Sequence, residues 1–339
     1  MAPIRKVAVI GAGIVGSSSA LIAIEKVPNI EVTLISETFS PFTTGDGSAG
    51  LWKPYLLGNV APERLRFWLT KTFNFLQDIF MSENASECGV GLLPCYEIST
   101  TPLETPTFKD IFLDWRPMNL KEMALFPSRY KYGAFMTTYF AECTKLIPEL
   151  LKKFKERGGQ IIKQKVENFS ELCGKYDVVI NCSGIGATGL THDPELKPIR
   201  GQVIRVKAPW IKYAVMDPEF YILPNAEETI CGGTKQVGDW NLDIVPKDRE
   251  RILSGCTDLY PSLKKAQVVR EWVGLRPGRN EPRIERETIK TVKGTIEVIH
   301  NYGHGGSGVT IGWGCAHEAI TLLEDALNDI NLNNIRSNL

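Results

Sequence analysis

A glycine-rich turn near the amino terminus restricts the folds that this chain can adopt. Residues 6–10 are predicted as a parallel strand buried on both faces, because residues 7–10 are an unbroken apolar run. The run leads into the sequence Gly11-Ala12-Gly13-Ile14-Val15-Gly16. Residues 17–24 then favour a helix and residues 31–35 a second strand, an order typical of a dinucleotide-binding βαβ unit.

Each part of this pattern has a physical role in holding a dinucleotide. Gly11 permits the tight turn, Gly13 lets the backbone approach a pyrophosphate, and Gly16 lets the helix pack closely against the strand. The helix start offers N–H groups and a partial positive charge to the phosphates. Glu37, at the end of the second strand, is placed to accept hydrogen bonds from ribose hydroxyls. The alternative is a glycine-rich turn without a ligand, and the pattern suits FAD and NAD equally.

Composition excludes several classes of function. The net charge of zero gives no support to a nucleic-acid or anionic-membrane partner, and no apolar run is long enough to span a membrane. The 8 cysteines include no Cys-x-x-Cys pair, which argues against a disulfide framework or a zinc site. No histidine and carboxylate cluster has metal-ligand spacing, so no metal is predicted.

The chain is long enough for two domains, and the pattern of its sequence changes more than once along the chain. We predict an α/β dinucleotide-binding domain, Rossmann-like, built from residues 1–50, 141–200 and 287–339. A substrate domain on a mixed antiparallel sheet is predicted from residues 51–140 and 201–286. The remaining predicted helices cover 64–80, 141–155, 247–259 and 316–328, and the later strands 158–166, 176–184, 201–206, 214–217, 221–224, 229–235 and 295–300. Residues 43–50 and 301–308 are predicted as small-residue loops that follow a ligand or merely connect elements.

Four segments in the same order resemble the D-amino-acid oxidase and D-aspartate oxidase family. They are residues 9–16, residues 49–55, Gly274-Leu275-Arg276-Pro277 with Arg283, and residues 300–306, and the similarity runs from Val7 to Leu327. The resemblance implies non-covalent FAD and oxidation of a D-amino acid to an imino acid. Hydrolysis would then give the 2-oxo acid and ammonia, and oxygen would reoxidise the flavin and form hydrogen peroxide.

The resemblance also implies a set of FAD contacts. Glu37 would hold the ribose, and Thr43 and Thr44 would meet the pyrophosphate. Val166 and Ser183 would lie near the adenosine. The isoalloxazine ring would contact Ala49, Gly50, Leu51, Gly303, Gly305, Gly306, Ser307, Gly308, Val309 and Thr310.

Two residues are predicted to anchor the substrate's α-carboxylate. Arg283 is the first choice, because a guanidinium grips a carboxylate through two parallel hydrogen bonds. Tyr221 resembles the family tyrosine whose hydroxyl joins that carboxylate. The alternatives are an ion pair of Arg283 with Glu285 or Glu287, and a core position for Tyr221.

The pattern resembles the D-aspartate oxidases more than the neutral-substrate enzymes. Lys53 and Lys235 would favour an acidic substrate such as D-aspartate or D-glutamate, and Tyr55, Gly306 and Ser307 complete the predicted substrate site. Both lysines could instead be solvated surface residues, which leaves a broad neutral D-amino-acid oxidase as the alternative. Another flavin amine oxidase, an NAD-dependent dehydrogenase and a non-enzymatic flavin protein are further hypotheses.

The chain ends in Ser337-Asn338-Leu339, which resembles the Ser-Lys-Leu type of peroxisomal address. We therefore expect the peroxisomal matrix, or otherwise the cytoplasm, as the location. Expected partners are the D-amino acid and molecular oxygen, together with an import receptor and a second copy of the chain.

Overall fold

The computed structural model of this chain describes residues 4–337, with side chains described up to residue 332. Of the carboxyl-terminal tripeptide only the backbone of Ser337 is described, so the predicted import signal lies outside the described residues. No helix within this range is long and apolar enough to cross a membrane.

One continuous mixed sheet organises the fold, and it contains 14 strands within the described residues. Its strands are β1 Arg5–Ile10, β2 Ile30–Ser36, β3 Val90–Ser99, β4 Asp114–Pro117, β5 Tyr132–Ala141, β6 Gln160–Lys163, β7 Val178–Asn181, β8 Lys197–Lys207, β9 Ala214–Met216, β10 Tyr221–Pro224, β11 Thr229–Gly232, β12 Gln236–Val237, β13 Gln267–Thr291 and β14 Gly294–His304. The helices are α1 Ile14–Lys26, α2 Pro62–Phe80, α3 Leu120–Met123, α4 Cys143–Glu156, α5 Ala187–Thr191, α6 Pro246–Leu259 and α7 Gly308–Ser337.

The two halves of the sheet have different strand directions. Along the order β14-β7-β1-β2-β6 every neighbouring pair is parallel, as a dinucleotide-binding fold requires. The other half, β4-β5-β3-β9-β10-β11-β8-β13, is antiparallel except for the β3–β9 pair. This arrangement confirms the predicted α/β class with a mixed antiparallel second sheet region. The division into two discontinuous domains stays a prediction.

The predicted secondary structure is wrong in the region where the two halves of the sheet join. The 25-residue strand β13 was not predicted, because its central Pro277 and Gly278 are residues usually found in turns. It pairs with β8 on one side and β14 on the other, and its register with β14 is irregular between Gly278 and Arg283. Residues 301–304, predicted as loop, continue β14, and α7 begins at Gly308 rather than near residue 316.

Strand β1 shows why an unalternated apolar run fits this position. Val7 and Val9 pack into the main core, which also contains residues of α1, α2, α4 and α7. Ala8 and Ile10, whose side chains point to the other face, pack into a second cluster. Burial on both faces is typical of a central parallel strand.

A fully buried arginine ties the antiparallel half together. The Arg200 guanidinium on β8 donates to the Asp248 carboxylate of α6 at 2.9 Å and to the Gln236 side-chain oxygen at 2.7 Å. It also donates to the backbone oxygens of Asn241 and Asp243, at 2.8 and 2.6 Å. One buried cation therefore holds a helix and the loop that follows β12.

Replacing Arg200 by Met should lower the free energy of unfolding by roughly 3–5 kcal/mol, because the buried Asp248 carboxylate and two carbonyls lose their donor. Arg66→Met is the control, since Arg66 forms an exposed ion pair with Asp110 and its loss should leave stability nearly unchanged. Urea unfolding followed by circular dichroism measures both. Equal stability of the two variants would contradict a structural role for Arg200.

Candidate active site

A cavity of about 940 Å³ lies where the parallel and antiparallel halves of the sheet meet. It is lined by the segments that follow β1, β2 and β7 and by residues of β8, β10 and β13. The carboxyl ends of parallel strands are where doubly wound folds bind their ligands. Its size and position make this cavity the candidate active site.

Two helices begin at the cavity wall. Gly13 precedes α1 without any side-chain cap, and α1 has no acidic residue in its first turn. Helix α7 begins at Gly308, also without an acidic residue in its first turn, and its first residues line the same cavity. Because a helix start carries a partial positive charge, both helices favour an anion or an electron-rich group in the cavity.

The loop after β2 is held in a defined shape. The buried Asp46 carboxylate accepts hydrogen bonds from the Thr43 backbone N–H at 2.8 Å, the Thr43 hydroxyl at 2.7 Å and the Ser40 hydroxyl at 2.6 Å. On the other side, Arg205 of β8 donates to the backbone oxygens of Asp46 and Ser48, at 3.3 and 3.1 Å. The segment is therefore an ordered wall of the cavity rather than a flexible connector.

Most residues predicted to bind a cofactor line this cavity. They are Gly11, Ala12, Gly13, Ile14, Val15, Glu37, Thr43, Thr44, Ala49, Gly50, Leu51, Val166, Ser183, Gly305, Gly306, Gly308, Val309 and Thr310. Three others do not line it: Gly16 packs against the Gly11 carbonyl, Gly303 lies against Arg279, and Ser307 is engaged by Tyr55. The Ser307 hydroxyl accepts from the Tyr55 backbone N–H at 2.8 Å and donates to the Tyr55 backbone oxygen at 2.9 Å, so it positions Tyr55, and its role towards the substrate stays a prediction.

The antiparallel half supplies a tyrosine and an arginine to the cavity. Tyr221 of β10 lies across Gly232 of β11, where a Cβ atom would come within 2.1 Å of the tyrosine ring. Arg276 of β13 lies across Gly201 of β8, where a Cβ atom would come within 2.4 Å of the guanidinium. The two glycines therefore form a low floor on which both side chains rest inside the cavity.

Arg276 is the residue that the sequence reasoning missed. It belongs to the Gly274–Pro277 motif, yet no role was predicted for it, nor for Trp272 and Val273, which line the cavity beside it. Among the described residues its guanidinium donates one hydrogen bond, to the Thr234 backbone oxygen at 3.0 Å, and it forms no ion pair. It lies 5.7 Å from the centre of the Tyr55 ring. A cation with no carboxylate partner in the described part of the chain is suited to an anionic ligand.

Arg283 occupies a different place, and the expectation for it is corrected. It does not line the cavity, and its guanidinium donates to Glu285 at 2.6 Å, Glu287 at 2.9 Å and the Tyr302 hydroxyl at 3.0 Å. These are the ion pairs left open as the alternative. Positions 276 and 283 differ by an odd number of residues, so a regular strand would direct them to opposite faces, and the strand between them is interrupted by an irregular register after Gly278.

The two lysines are both engaged by other groups. Lys53 lines the cavity, but its Nζ lies 2.9 Å from a carboxylate oxygen of Glu97, which lines the cavity as well. Lys235 does not line the cavity; it is exposed, and its Nζ donates to the Pro218 oxygen at 2.9 Å. Pro218 itself lies at the cavity wall, so Lys235 is held at the rim.

His304 lies at the cavity wall beside the start of α7. Burial lowers its pKa to about 4, so the imidazole is neutral at physiological pH. Its Nε2 lies 3.1 Å from the side-chain oxygen of Asn301, whose nitrogen donates to Ser19 at 3.2 Å. These contacts indicate a role in ordering the end of β14.

Comparison with known proteins decides the family. Residues 6–322 match the family described as FAD dependent oxidoreductase. This chain belongs to that family. It is 40% identical to a D-amino acid oxidase from Dugesia ryukyuensis, covering 95% of this chain and 98% of the relative. It is 38% identical to D-aspartate oxidase from Homo sapiens, covering 98% and 99%. The fold is similar to glycine oxidase from Geobacillus kaustophilus, with a TM-score of 0.76, 14% identity and 95% of each chain covered.

FAD is the cofactor of this family, and the cavity fits it. The uncapped start of α1 suits the pyrophosphate, and the start of α7 suits the electron-rich edge of the isoalloxazine ring. A Cβ atom built on Gly13 would meet only Thr43, at 4.0 Å, so the space before α1 is open to a phosphate. Which residues contact each part of FAD stays a prediction.

Replacing Gly13 by Val should raise the dissociation constant of FAD at least about tenfold, because the added side chain fills the space before α1. The apoprotein should keep its unfolding midpoint, since no described atom beyond the adjacent residues 12 and 14 lies closer than 4.0 Å to the new Cβ. Gly189→Val is the control: position 189 is equally open but does not line the cavity. Titration of apoprotein with FAD measures both, and unchanged affinity in Gly13→Val would contradict the assignment.

Proposed function

We propose that this enzyme oxidises D-amino acids whose α-carboxylate is held by Arg276 and Tyr221. The observation that carries the proposal is the Arg276 guanidinium, which lies in the cavity beside Tyr221 without a carboxylate partner among the described residues. The relatives named D-amino acid oxidase and D-aspartate oxidase support the D-amino acid as substrate class.

The two side chains are chemically suited to grip a carboxylate. A guanidinium presents parallel N–H groups that match the two carboxylate oxygens, which fixes orientation as well as position. Burial raises the pKa of Tyr221 above its ordinary value, so its hydroxyl keeps its proton and remains a donor. Together they would fix the substrate's α-carbon relative to the rest of the cavity.

The main task of the protein in this reaction is to position the substrate relative to the cofactor. When bound, FAD supplies the hydride acceptor and is later reoxidised by oxygen with formation of hydrogen peroxide. The α-hydrogen leaves as hydride, so no side chain has to remove it as a proton. His304, whose pKa is lowered to about 4 by burial, is engaged with Asn301 and is not required as a base. The chain's contribution is orientation of the substrate within the cavity.

Arg276→Met should reduce kcat/KM for the best D-amino acid at least about a hundredfold, because two charge-assisted hydrogen bonds to the substrate are lost. The variant should stay yellow, since Arg276 is not expected to hold the cofactor. Arg283→Met is the matched control and should keep kcat/KM within about threefold, because the Arg283 guanidinium is engaged outside the cavity. Stopped-flow flavin reduction measures both. The reverse pattern would restore Arg283 as the anchor.

We further propose that acidic D-amino acids are preferred. Lys53 lies in the cavity and Lys235 at its rim, where a small movement of its flexible side chain would bring its ammonium group to a bound ligand. The relative named D-aspartate oxidase, at 38% identity, is consistent with this choice, and the relative named D-amino acid oxidase, at 40%, is consistent with the broader one. The second candidate is a neutral D-amino acid, which the pairing of Lys53 with Glu97 favours.

Peroxide release across D- and L-amino acids distinguishes the two candidates. D-Aspartate or D-glutamate should release more peroxide than D-alanine or D-proline, and L-enantiomers should be silent. A partly desolvated charge pair at Lys235 would give the acidic substrates an advantage of about tenfold in kcat/KM, since Lys53 is already paired with Glu97. A lead by D-alanine or D-proline would establish the neutral candidate instead.

The peroxisomal matrix is proposed as the location, with an import receptor as the corresponding partner. A peroxide-forming reaction supports this proposal.

A further inference from the structure

An ion pair stands inside the candidate substrate region of the cavity. Lys53 and Glu97 both line the cavity, and their side chains are 21% and 25% exposed. The Lys53 ammonium lies 2.9 Å from a Glu97 oxygen. Surface ion pairs are common and contribute little, but a pair at the wall of a ligand cavity changes the charge that a ligand meets.

The backbone fixes both members of this pair. Glu97 lies on β3 opposite Met216 of β9, and Met216 also lines the cavity. The Lys53 oxygen accepts a hydrogen bond from the Thr310 hydroxyl at 3.1 Å, which joins this segment to the start of α7. Since Glu97 lies on a strand and the backbone at Lys53 is tied to α7, the pair is part of the cavity wall rather than a chance contact of two long side chains.

The pair has a direct consequence for charged substrates. A second carboxylate bound at Lys53 would also lie close to the Glu97 carboxylate, and the repulsion would cancel much of the attraction. A neutral amide of the same shape meets no such repulsion. Arg276 has no acidic neighbour of this kind among the described ion pairs, so the α-carboxylate is not penalised in the same way.

We propose that Glu97 is a specificity-determining residue that limits the preference for acidic substrates by neutralising Lys53. The inference rests on the proposed oxidation of D-amino acids. It implies that the cavity accepts uncharged polar side chains beside acidic ones, and that one carboxylate on β3 sets the balance.

The test compares D-aspartate with D-asparagine, which have nearly the same shape and differ in charge. In Glu97→Gln the ratio of kcat/KM for D-aspartate over D-asparagine should rise about tenfold or more, because the Lys53 charge is no longer offset by a carboxylate. In the double variant Glu97→Gln with Lys53→Gln the gain should disappear. Glu97→Ser is a second neutral variant and should shift the ratio in the same direction.

Glu285→Gln is the matched control. This variant removes the carboxylate that pairs with Arg283, and neither residue lines the cavity. The ratio of kcat/KM for D-aspartate over D-asparagine should therefore stay unchanged. An equal shift in this control would mean that general charge, not Glu97, is responsible.

Binding of unreactive ligands provides a readout independent of turnover. Malonate and its half-amide, malonamate, are titrated into the FAD-loaded protein and followed by changes in flavin absorbance. Glu97→Gln should tighten malonate relative to malonamate about tenfold. An unchanged or reduced ratio in both the kinetic and the binding series overturns the proposal. If the wild-type enzyme oxidises no D-amino acid, the proposed function fails, while the binding ratio still reports the effect of Glu97.

Discussion

Positive charge directed into one cavity is the constraint on which the rest of this structure depends. The starts of α1 and α7 and the Arg276 guanidinium all face the same space, and the two helix starts have no acidic residue in their first turns. Such an arrangement is costly unless a ligand or solvent compensates it. This concentration of positive charge therefore distinguishes the site most clearly from a glycine-rich turn that binds no ligand.

The long strand β13 brings the two kinds of binding together. One of its edges pairs with β8 in the antiparallel half, and the other with β14, which leads to the parallel half. Residues 272–277 of this strand line the cavity, so the proposed substrate anchor Arg276 lies on a strand that also forms a wall of the proposed cofactor site. Sites carried by sheets hold their geometry better than sites carried by loops.

Local patterns predicted much of the fold and of the cofactor site. The unit from β1 to β2 follows from apolar runs and glycine spacing, each of which acts over a few residues. The role of Arg276 was not predictable in the same way, because the choice between positions 276 and 283 depends on strand phase across an irregular register. The pairing of Lys53 with Glu97 joins two residues 44 positions apart and exists only because β3 folds beside this cavity. Local sequence patterns do not show which residues distant in the chain come into contact in the fold.

Strand β8 illustrates how unevenly this architecture tolerates change. Within six residues it carries Arg200, which anchors the loop after β12, Gly201, on which Arg276 rests, and Arg205, which supports the loop after β2. A shift of this one strand would disturb the places of both ligands at once. Glu97, by contrast, lines the cavity from β3 and its side chain pairs with Lys53. Substitutions on β3 therefore offer a route to a changed substrate preference. Substitutions on β8 are more restricted, because this strand supports both the loop after β2 and the Arg276 side chain.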